Sequence, residues 1–349
     1  MTEIPKQVLT LRQEEILAHV VEEYIATGSP VGSKALVERT ALHVSASTVR
    51  NELAVLEEQG LLTHPHTSAG RVPTDLGYRF FVDRVLESLE PRPAELELDL
   101  DFARPRRQVD SALRATTEAL AQVTHLLALV SAPPLETATI RHVEVILLEP
   151  RVVMVVVITS TGGVTKRLVA FEEPVDLGLA EWAREYLNES VAGLQLGARL
   201  LRQCFEDPGL GGREGEFLAE LRPAFTDALE ADEQALYIGG TAEVLDEFRS
   251  DELGGYRRLL EVLEQRAALL ELMRAGIISK RPFVRMGAEL DDPELLTVSL
   301  VGAPYGLRHR NLGTVSLLGP IRMDYVKAID AVRSAAGELS RFVEDFYEE

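Results

Sequence analysis

Cysteine is almost missing from this chain: Cys204 is the only one in 349 residues. A single thiol excludes an intramolecular disulfide and a cysteine-rich zinc site, and it fits a reducing cytoplasm. Cys204 itself reads as a small core residue. Long apolar runs are missing too. The most apolar stretch, Val152 to Ile158, falls far short of the roughly 20 residues a membrane helix needs. No basic leader precedes an apolar stretch at the N-terminus, so no signal peptide is expected. Internal repeats and low-complexity tracts are absent. So are a glycine-rich phosphate loop, a metal quartet and a nucleophile elbow, which argues against an enzyme and against a bound cofactor or metal. The acid pair Asp291-Asp292 stands beside Pro293 and reads as a turn or cap.

Positive charge is in deficit: 36 Lys and Arg face 56 Asp and Glu, for a formal net charge of −20. Nucleic-acid-binding proteins usually carry a basic footprint. Counterion release, however, depends on the cations at the contact surface and not on the sum over the chain. Two windows, Arg39 to Asn51 and Gln59 to Thr74, contain no acid and hold Arg39, His43, Arg50, His64, His66 and Arg71. An acidic body with two such windows would bind random DNA weakly and depend on a specific, bivalent grip.

The length and the patterning predict two or three domains. Thr10 and Gln13 have capping-box spacing, and Ile16, Leu17, Val20, Val21 and Tyr24 then recur at helical spacing up to a stop at Gly28. Ser33 is placed to cap a short second helix, and Ser45 a third that runs to about Gln59. Leu61-Leu62 starts a short strand, residues 64–71 make a turn-rich excursion, and Val72 returns. Thr74 opens a fourth helix with Tyr78, Phe81, Val82, Val85 and Leu86 on one face. Three helices followed by a hairpin make a winged helix-turn-helix. On the third helix Ala46, Val49, Leu53 and Leu56 share the inner face, while Ser47, Arg50, Asn51 and Ala54 point away. Recognition helices meet base edges near their N-terminus, where Arg takes guanine and Asn takes adenine bidentately. The same pattern also fits an ordinary amphipathic helix with a solvated face. The wing tips the balance, because His64, His66, Thr67, Ser68 and Arg71 are hydrogen-bond donors on a loop without a carboxylate. Two histidines at this spacing lack further metal ligands nearby.

Beyond Ser88 the pattern predicts a linker over residues 88–106 and a long helix from about Arg107 to Ser131. Strands at His142–Leu148 and Val152–Thr159 follow, then a turn at Thr161-Gly162-Gly163 and a run from Lys166 to Phe171. Residues from Glu173 to about Asp251 read as helical, with breaks at Gly193, Pro208 to Gly212, Pro223 and Gly239-Gly240. A helix from Tyr256 to Arg274, strands at Phe283–Met286, Leu296–Val301 and Thr314–Leu317, and a helix from Asp324 to Phe346 complete the chain. Strands on both sides of a helical middle predict an α+β multidomain protein, one domain of which is interrupted by an insertion.

Several stretches resemble the HrcA family: Pro30-Val31-Gly32-Ser33-Lys34, Ser47-Thr48-Val49-Arg50-Asn51-Glu52-Leu53 and Leu56-Glu57-Glu58-Gln59-Gly60-Leu61-Leu62. The most specific is the wing, His64-Pro65-His66-Thr67-Ser68-Ala69-Gly70-Arg71-Val72-Pro73-Thr74, with Gly77-Tyr78-Arg79. Near the other end, Gly319-Pro320-Ile321-Arg322-Met323-Asp324-Tyr325 looks like the family's C-terminal motif. The resemblance spans essentially the whole chain. It departs at Ser47, where the family often has alanine, and at Ile321, where it often has threonine.

The resemblance implies a winged-helix domain over 1–87 and a GAF-like domain over 107–173 and 251–349, with a dimerising domain inserted at 174–250. It also implies repression of chaperone operons in the cytoplasm. A homodimer would bind an inverted-repeat DNA operator called CIRCE, kept active by a GroEL-type chaperonin. Ser47, Thr48, Arg50, Asn51, His64, His66, Thr67, Ser68 and Arg71 are the expected DNA contacts. Two rivals stay open: a regulator gated by a metabolite bound in the GAF-like domain, and an enzyme with an unrecognised site there. Metabolite-dependent DNA affinity would mark the first, and turnover by residues 107–349 the second.

Overall fold

A computed structural model describes residues 9–39, 44–65, 70–88, 109–133, 139–159, 164–196, 198–205, 209–230, 236–248, 253–264, 268–270, 272–273 and 281–348. The chain begins with a small helical head. Helix α1 (Leu11–Thr27) has the expected capping box. The Gln13 amide donates to Thr10 Oγ1 at 3.3 Å, and the Thr10 amide to Gln13 Oε1 at 3.0 Å. Gly28 ends it in the left-handed region, at φ 66°. Helix α2 (Ser33–Arg39) starts one residue earlier than expected: Ser33 is its first residue and is buried, and Gly32 supplies the first accepting carbonyl. Helix α3 (Ala46–Glu58) is capped by Ser45 Oγ, which accepts from the Thr48 amide at 3.2 Å. Strands β1 (Leu62–Thr63) and β2 (Val72–Pro73) pair antiparallel.

Helix α4 (Asp75–Ser88) follows β2 at once. Thr74 Oγ1 donates to the Gly60 carbonyl at 2.7 Å and accepts from the Gly77 amide at 3.1 Å, seating α4 on the end of α3. Gly77 is required there, because a Cβ would stand 2.2 Å from the Leu61 carbonyl oxygen. Apart from Ser88, the expected linker lies outside the described residues.

Two expectations are corrected in the next segment. Helix α5 (Val109–Thr124) stops short of Ser131, and strand β3 (Leu127–Ser131) takes the remaining residues. His125, at φ 57°, breaks the helix. Strand β3 is buried on both faces, so it shows no alternation and its leucines and alanine imitate helix text. The second correction concerns the sheets. Strands β4 (Ile140–Glu149), β5 (Val152–Thr159) and β6 (Val164–Ala170) do not join the C-terminal strands but form a three-stranded sheet of their own. The turn expected at 161–163 lies outside the described residues.

The middle of the chain, expected to be helical between breaks, also holds a strand just before the break at Gly240. After α6 (Leu177–Val191), α7 (Arg199–Cys204), α8 (Gly212–Leu221) and α9 (Pro223–Glu230) comes strand β7 (Leu236–Gly239). Helix α10 (Leu253–Glu264), strands β8 (Phe283–Met286), β9 (Val298–Leu307) and β10 (Arg310–Pro320), and helix α11 (Tyr325–Glu348) follow. The second sheet has the order β7-β3-β10-β9-β8, antiparallel throughout.

Strands β3 and β7 are neighbours, with Ser131 opposite Leu236. Everything between them is therefore an excursion that leaves and re-enters the sheet at one place. Its core is separate: Val143, Val145, Val153, Val155 and Val157 on the sheet meet Ala183 and Leu187 of α6, Phe217 of α8 and Phe225 of α9. The five-stranded sheet is covered on both faces. Val301, Ala303, Val315 and Leu317 face α5 and α11, and Leu127, Leu129, Leu300 and Leu318 face α10. The first of these cores continues without a break into the head. Among the described residues no helix is long and apolar enough to cross a membrane.

Candidate nucleic-acid interface

Helix α3 buries Val49, Leu53 and Leu56 against α1 and α2 and leaves Ser47, Arg50 and Asn51 exposed. Ala46, expected inside, is only half-buried, and so is Ala54. The helix start is a hydroxyl cluster. Ser45 Oγ lies 2.7 Å from Ser47 Oγ and 2.9 Å from Thr48 Oγ1, so Ser47 and Thr48 are tied to the cap while Arg50 and Asn51 project one turn further on. The inner register of α3 is held by Glu52, which accepts from Gln13 Nε2 at 3.0 Å.

The wing differs from its sequence reading in one respect. No carboxylate lies within the window, but one reaches it from α3. Glu57 Oε2 pairs with Arg71 Nη2 at 2.6 Å, and Glu57 Oε1 hydrogen-bonds His64 Nδ1. An ionised carboxylate only accepts, so His64 Nδ1 carries the hydrogen. Glu57 thus joins the two ends of the ribbon to the recognition-like helix. Arg71 is fastened a second time: its amide donates to the Val31 carbonyl and its carbonyl accepts from the Val31 amide, each at 2.8 Å. Gly70 allows this approach, since a Cβ would meet the Val31 carbonyl carbon at 2.5 Å. Glu57 was legible in principle. It lies seven residues after Arg50, two turns along the same helical face. His43, His66, Thr67 and Ser68 lie outside the described residues.

A second cluster ties this head to the five-stranded sheet. Arg79 Nη1 donates to the Val284 carbonyl at 2.9 Å and to Glu289 Oε2 at 3.2 Å, and Arg79 Nη2 pairs with Asp83 at 2.6 Å. The Tyr78 and Tyr325 rings lie 6.3 Å apart, centroid to centroid. Tyr325 OH donates to the Ile321 carbonyl at 2.6 Å, so Ser299 Oγ, 2.8 Å away, is the donor of their shared bond. Burial pushes the Tyr325 phenol far above its ordinary value. Asp324 caps α11, accepting from the Lys327 amide at 3.0 Å, and Arg322 donates to the Glu247 carbonyl rather than pairing with Asp324. The acid pair is structural as well: Asp291 pairs with Arg285 and Asp292 with Arg258.

Fold and surface define the class: a multidomain α+β protein whose N-terminal head offers a polar helix face beside a small ribbon. A family model described as the HrcA protein C terminal domain matches residues 110–329. The heat-inducible transcription repressor HrcA of Mycobacterium sp. (strain KMS) is 37% identical over 333 residues, covering 93% of this chain and 95% of its own. That of Cutibacterium acnes (strain DSM 16379 / KPA171202) is 38% identical over 341 residues, covering 95% and 98%. The chain belongs to the HrcA family. Its fold is similar to that of a crystal structure of a hypothetical protein at 2.2 Å resolution. That match has a TM-score of 0.66 at 24% identity and covers 97% of this chain and 100% of the other.

Proposed function

We propose that this protein is a heat-inducible transcription repressor, not an enzyme, that binds an inverted-repeat operator as a homodimer in the cytoplasm. The observation that carries the reading is the exposed Ser47–Arg50–Asn51 face, free of carboxylates at its N-terminal end, on a helix whose other face buries Val49, Leu53 and Leu56. The head, residues 1–87, acts as a winged helix-turn-helix. Arg50 and Asn51 read base edges, Ser47 and Thr48 approach the backbone at the helix start, and His64, His66, Thr67 and Ser68 on the wing meet phosphates. Arg71, paired with Glu57, holds the base of the wing in register.

The five-stranded sheet with α5, α10 and α11 is read as the GAF-like domain, and the excursion between β3 and β7 as the inserted dimerising domain. The packing favours wider bounds for the insertion, about 132–235, than the 174–250 that the resemblance implies. One face of the β4-β5-β6 sheet is covered by α6, α8 and α9. The opposite face shows Ile146, Met154 and Leu168 side by side in register, with Leu148 and Val164 exposed near them. A second copy of the same face is its natural cover. A GroEL-type chaperonin that refolds the repressor would couple free chaperone capacity to repression, as the family resemblance implies.

A metabolite-gated reading has one observation in its favour. Thr314 Oγ1 and Ser316 Oγ are buried on the α10 side of the five-stranded sheet with no hydrogen-bond partner among the described residues. Such an orphan costs about 1–3 kcal/mol, which a polar ligand would relieve. Operator affinity that changes with added metabolites would favour it. The primary reading is tested by footprinting the protein on its own chaperone promoters. Protection of a two-fold symmetric site, with half-site centres a multiple of about 10 bp apart, supports it. Uniform binding to all DNA, or none, overturns it.

A further inference from the structure

Two motifs at opposite ends of the chain have no part in DNA contact, yet they meet. Gly77-Tyr78-Arg79 lies on α4, and Gly319 to Tyr325 runs from the end of β10 into α11. We propose that their junction is the joint that fixes the orientation of the head on the body, with Arg79 as its positioning residue. The proposal rests on the repressor reading, which makes orientation matter.

The joint is directional. Helix α4 is seated rigidly on the head, since Thr74 clamps its start to the Gly60 carbonyl and Gly77 lies against the Leu61 carbonyl. From that base Arg79 reaches across to β8 and the turn after it. Its side chain is only 13% exposed, and one nitrogen serves both the Val284 carbonyl and Glu289. Glu289 is itself oriented by accepting from the Met286 amide at 3.0 Å. Beside this fork the buried Tyr78 ring meets Tyr325, whose hydroxyl is fixed by Ile321 and Ser299. The covalent route from α4 to α5 runs through residues 89–108. Fully extended, a segment of that length reaches about 70 Å, so connectivity alone does not set where the head points.

In a homodimer on an inverted repeat, the two heads must match the half-site spacing at once. A stiff joint makes the second contact intramolecular at high effective concentration. A loose joint spreads the head over many orientations and dilutes it. Arg79 and Glu289 therefore set spacing selectivity without touching DNA.

The test compares full-length wild type with Arg79→Gln and with the milder Glu289→Gln. Each binds a single half-site and a series of operators whose half-sites are moved by one base pair at a time. Wild type should favour one spacing by on the order of 10²-fold, and both variants should reduce that preference below about 10-fold while single half-site affinity stays unchanged. A residue needed only for the fold of the head would weaken every DNA alike. Hydrogen exchange without DNA provides an independent reading. In wild type, amides of α1 and α3 should open together with those of β9 and α11; in the variants the head should open more readily by itself. Unchanged spacing preference and unchanged joint opening in both variants would overturn the proposal. Wild type that binds no operator would refute the repressor reading, while the exchange data would still decide the joint.

Discussion

At the scale of single residues, charge is a question of space. Glu57 lies outside both acid-free windows and yet supplies the carboxylate for His64 and Arg71. On the proposed reading, it lowers the charge the wing can offer to phosphate and gives in exchange a defined wing position. Replacing Glu57 by Gln should release a cation, steepen the dependence of log K on log salt by about one and narrow the gap between operator and random DNA. An unchanged salt slope across a titration of ionic strength would remove Glu57 from this role. Arg50 and Asn51 behave oppositely. Changing either to Ala should cost about 1–3 kcal/mol on the operator and relax discrimination at one base pair. Normal affinity and normal discrimination in both variants would return α3 to an ordinary solvated helix. Serine at 47 and isoleucine at 321, the two departures from family habit, have simple surroundings: Ser47 bonds the cap at Ser45, and Ile321 stands near Gly287 beside the joint.

At the scale of elements, the row Ile146–Met154–Leu168, exposed at both ends, makes the proposed dimer testable. Fully burying one such side chain is worth ~1.5–3 kcal/mol, so placing Glu at both 146 and 168 should give a folded monomer at micromolar concentration. Sedimentation that still finds a dimer would move the interface elsewhere. The sequence told a good deal at this scale, and what it hid has physical causes. Capped, one-sided helices such as α1, α3 and α4 are written into their own residues, because caps and apolar spacing are local. So is the alternation of β5, which buries Val153, Val155 and Val157 on one side. Strand β3 was hidden because it is buried on both faces, and β7 because four residues carry too little pattern. Which sheet β4–β6 join depends on pairing between distant segments, and periodicity holds no record of that. The outward positions on α3, Ser47, Arg50 and Asn51, were legible from the helical wheel. The Arg79 contact with Glu289 was not, since its partner lies 210 residues away in the chain.

At the scale of the molecule, the acidic balance and the divided cores bear on heat. Domain stabilities of about 5–15 kcal/mol leave little margin, and a lost partner removes avidity of about 10²–10⁴. Operator release should therefore track loss of folded dimer as temperature rises, and chaperonin with ATP should restore binding. Following unfolding, dimer content and operator occupancy on one sample decides this. Release well below any loss of dimer, and indifferent to chaperonin, would point to a ligand or a direct conformational sensor. With a net charge of −20, a detached monomer would have little pull toward random DNA.

The adjacency of β3 and β7 has a consequence for how such a protein can be altered. Neighbouring antiparallel strands are ordinarily joined by a turn of two to five residues. Here Ser131 and Leu236 stand where that turn would begin and end, and an entire module with its own core has been spliced into the gap. The splice leaves the ladder intact, so host and guest can drift, or be exchanged, almost independently of one another. On the proposed reading of the guest as the pairing module, a short loop in its place would leave a regulator with its head and body unchanged and no means of pairing. On the same reading, a different guest at the same seam would give it a different partner.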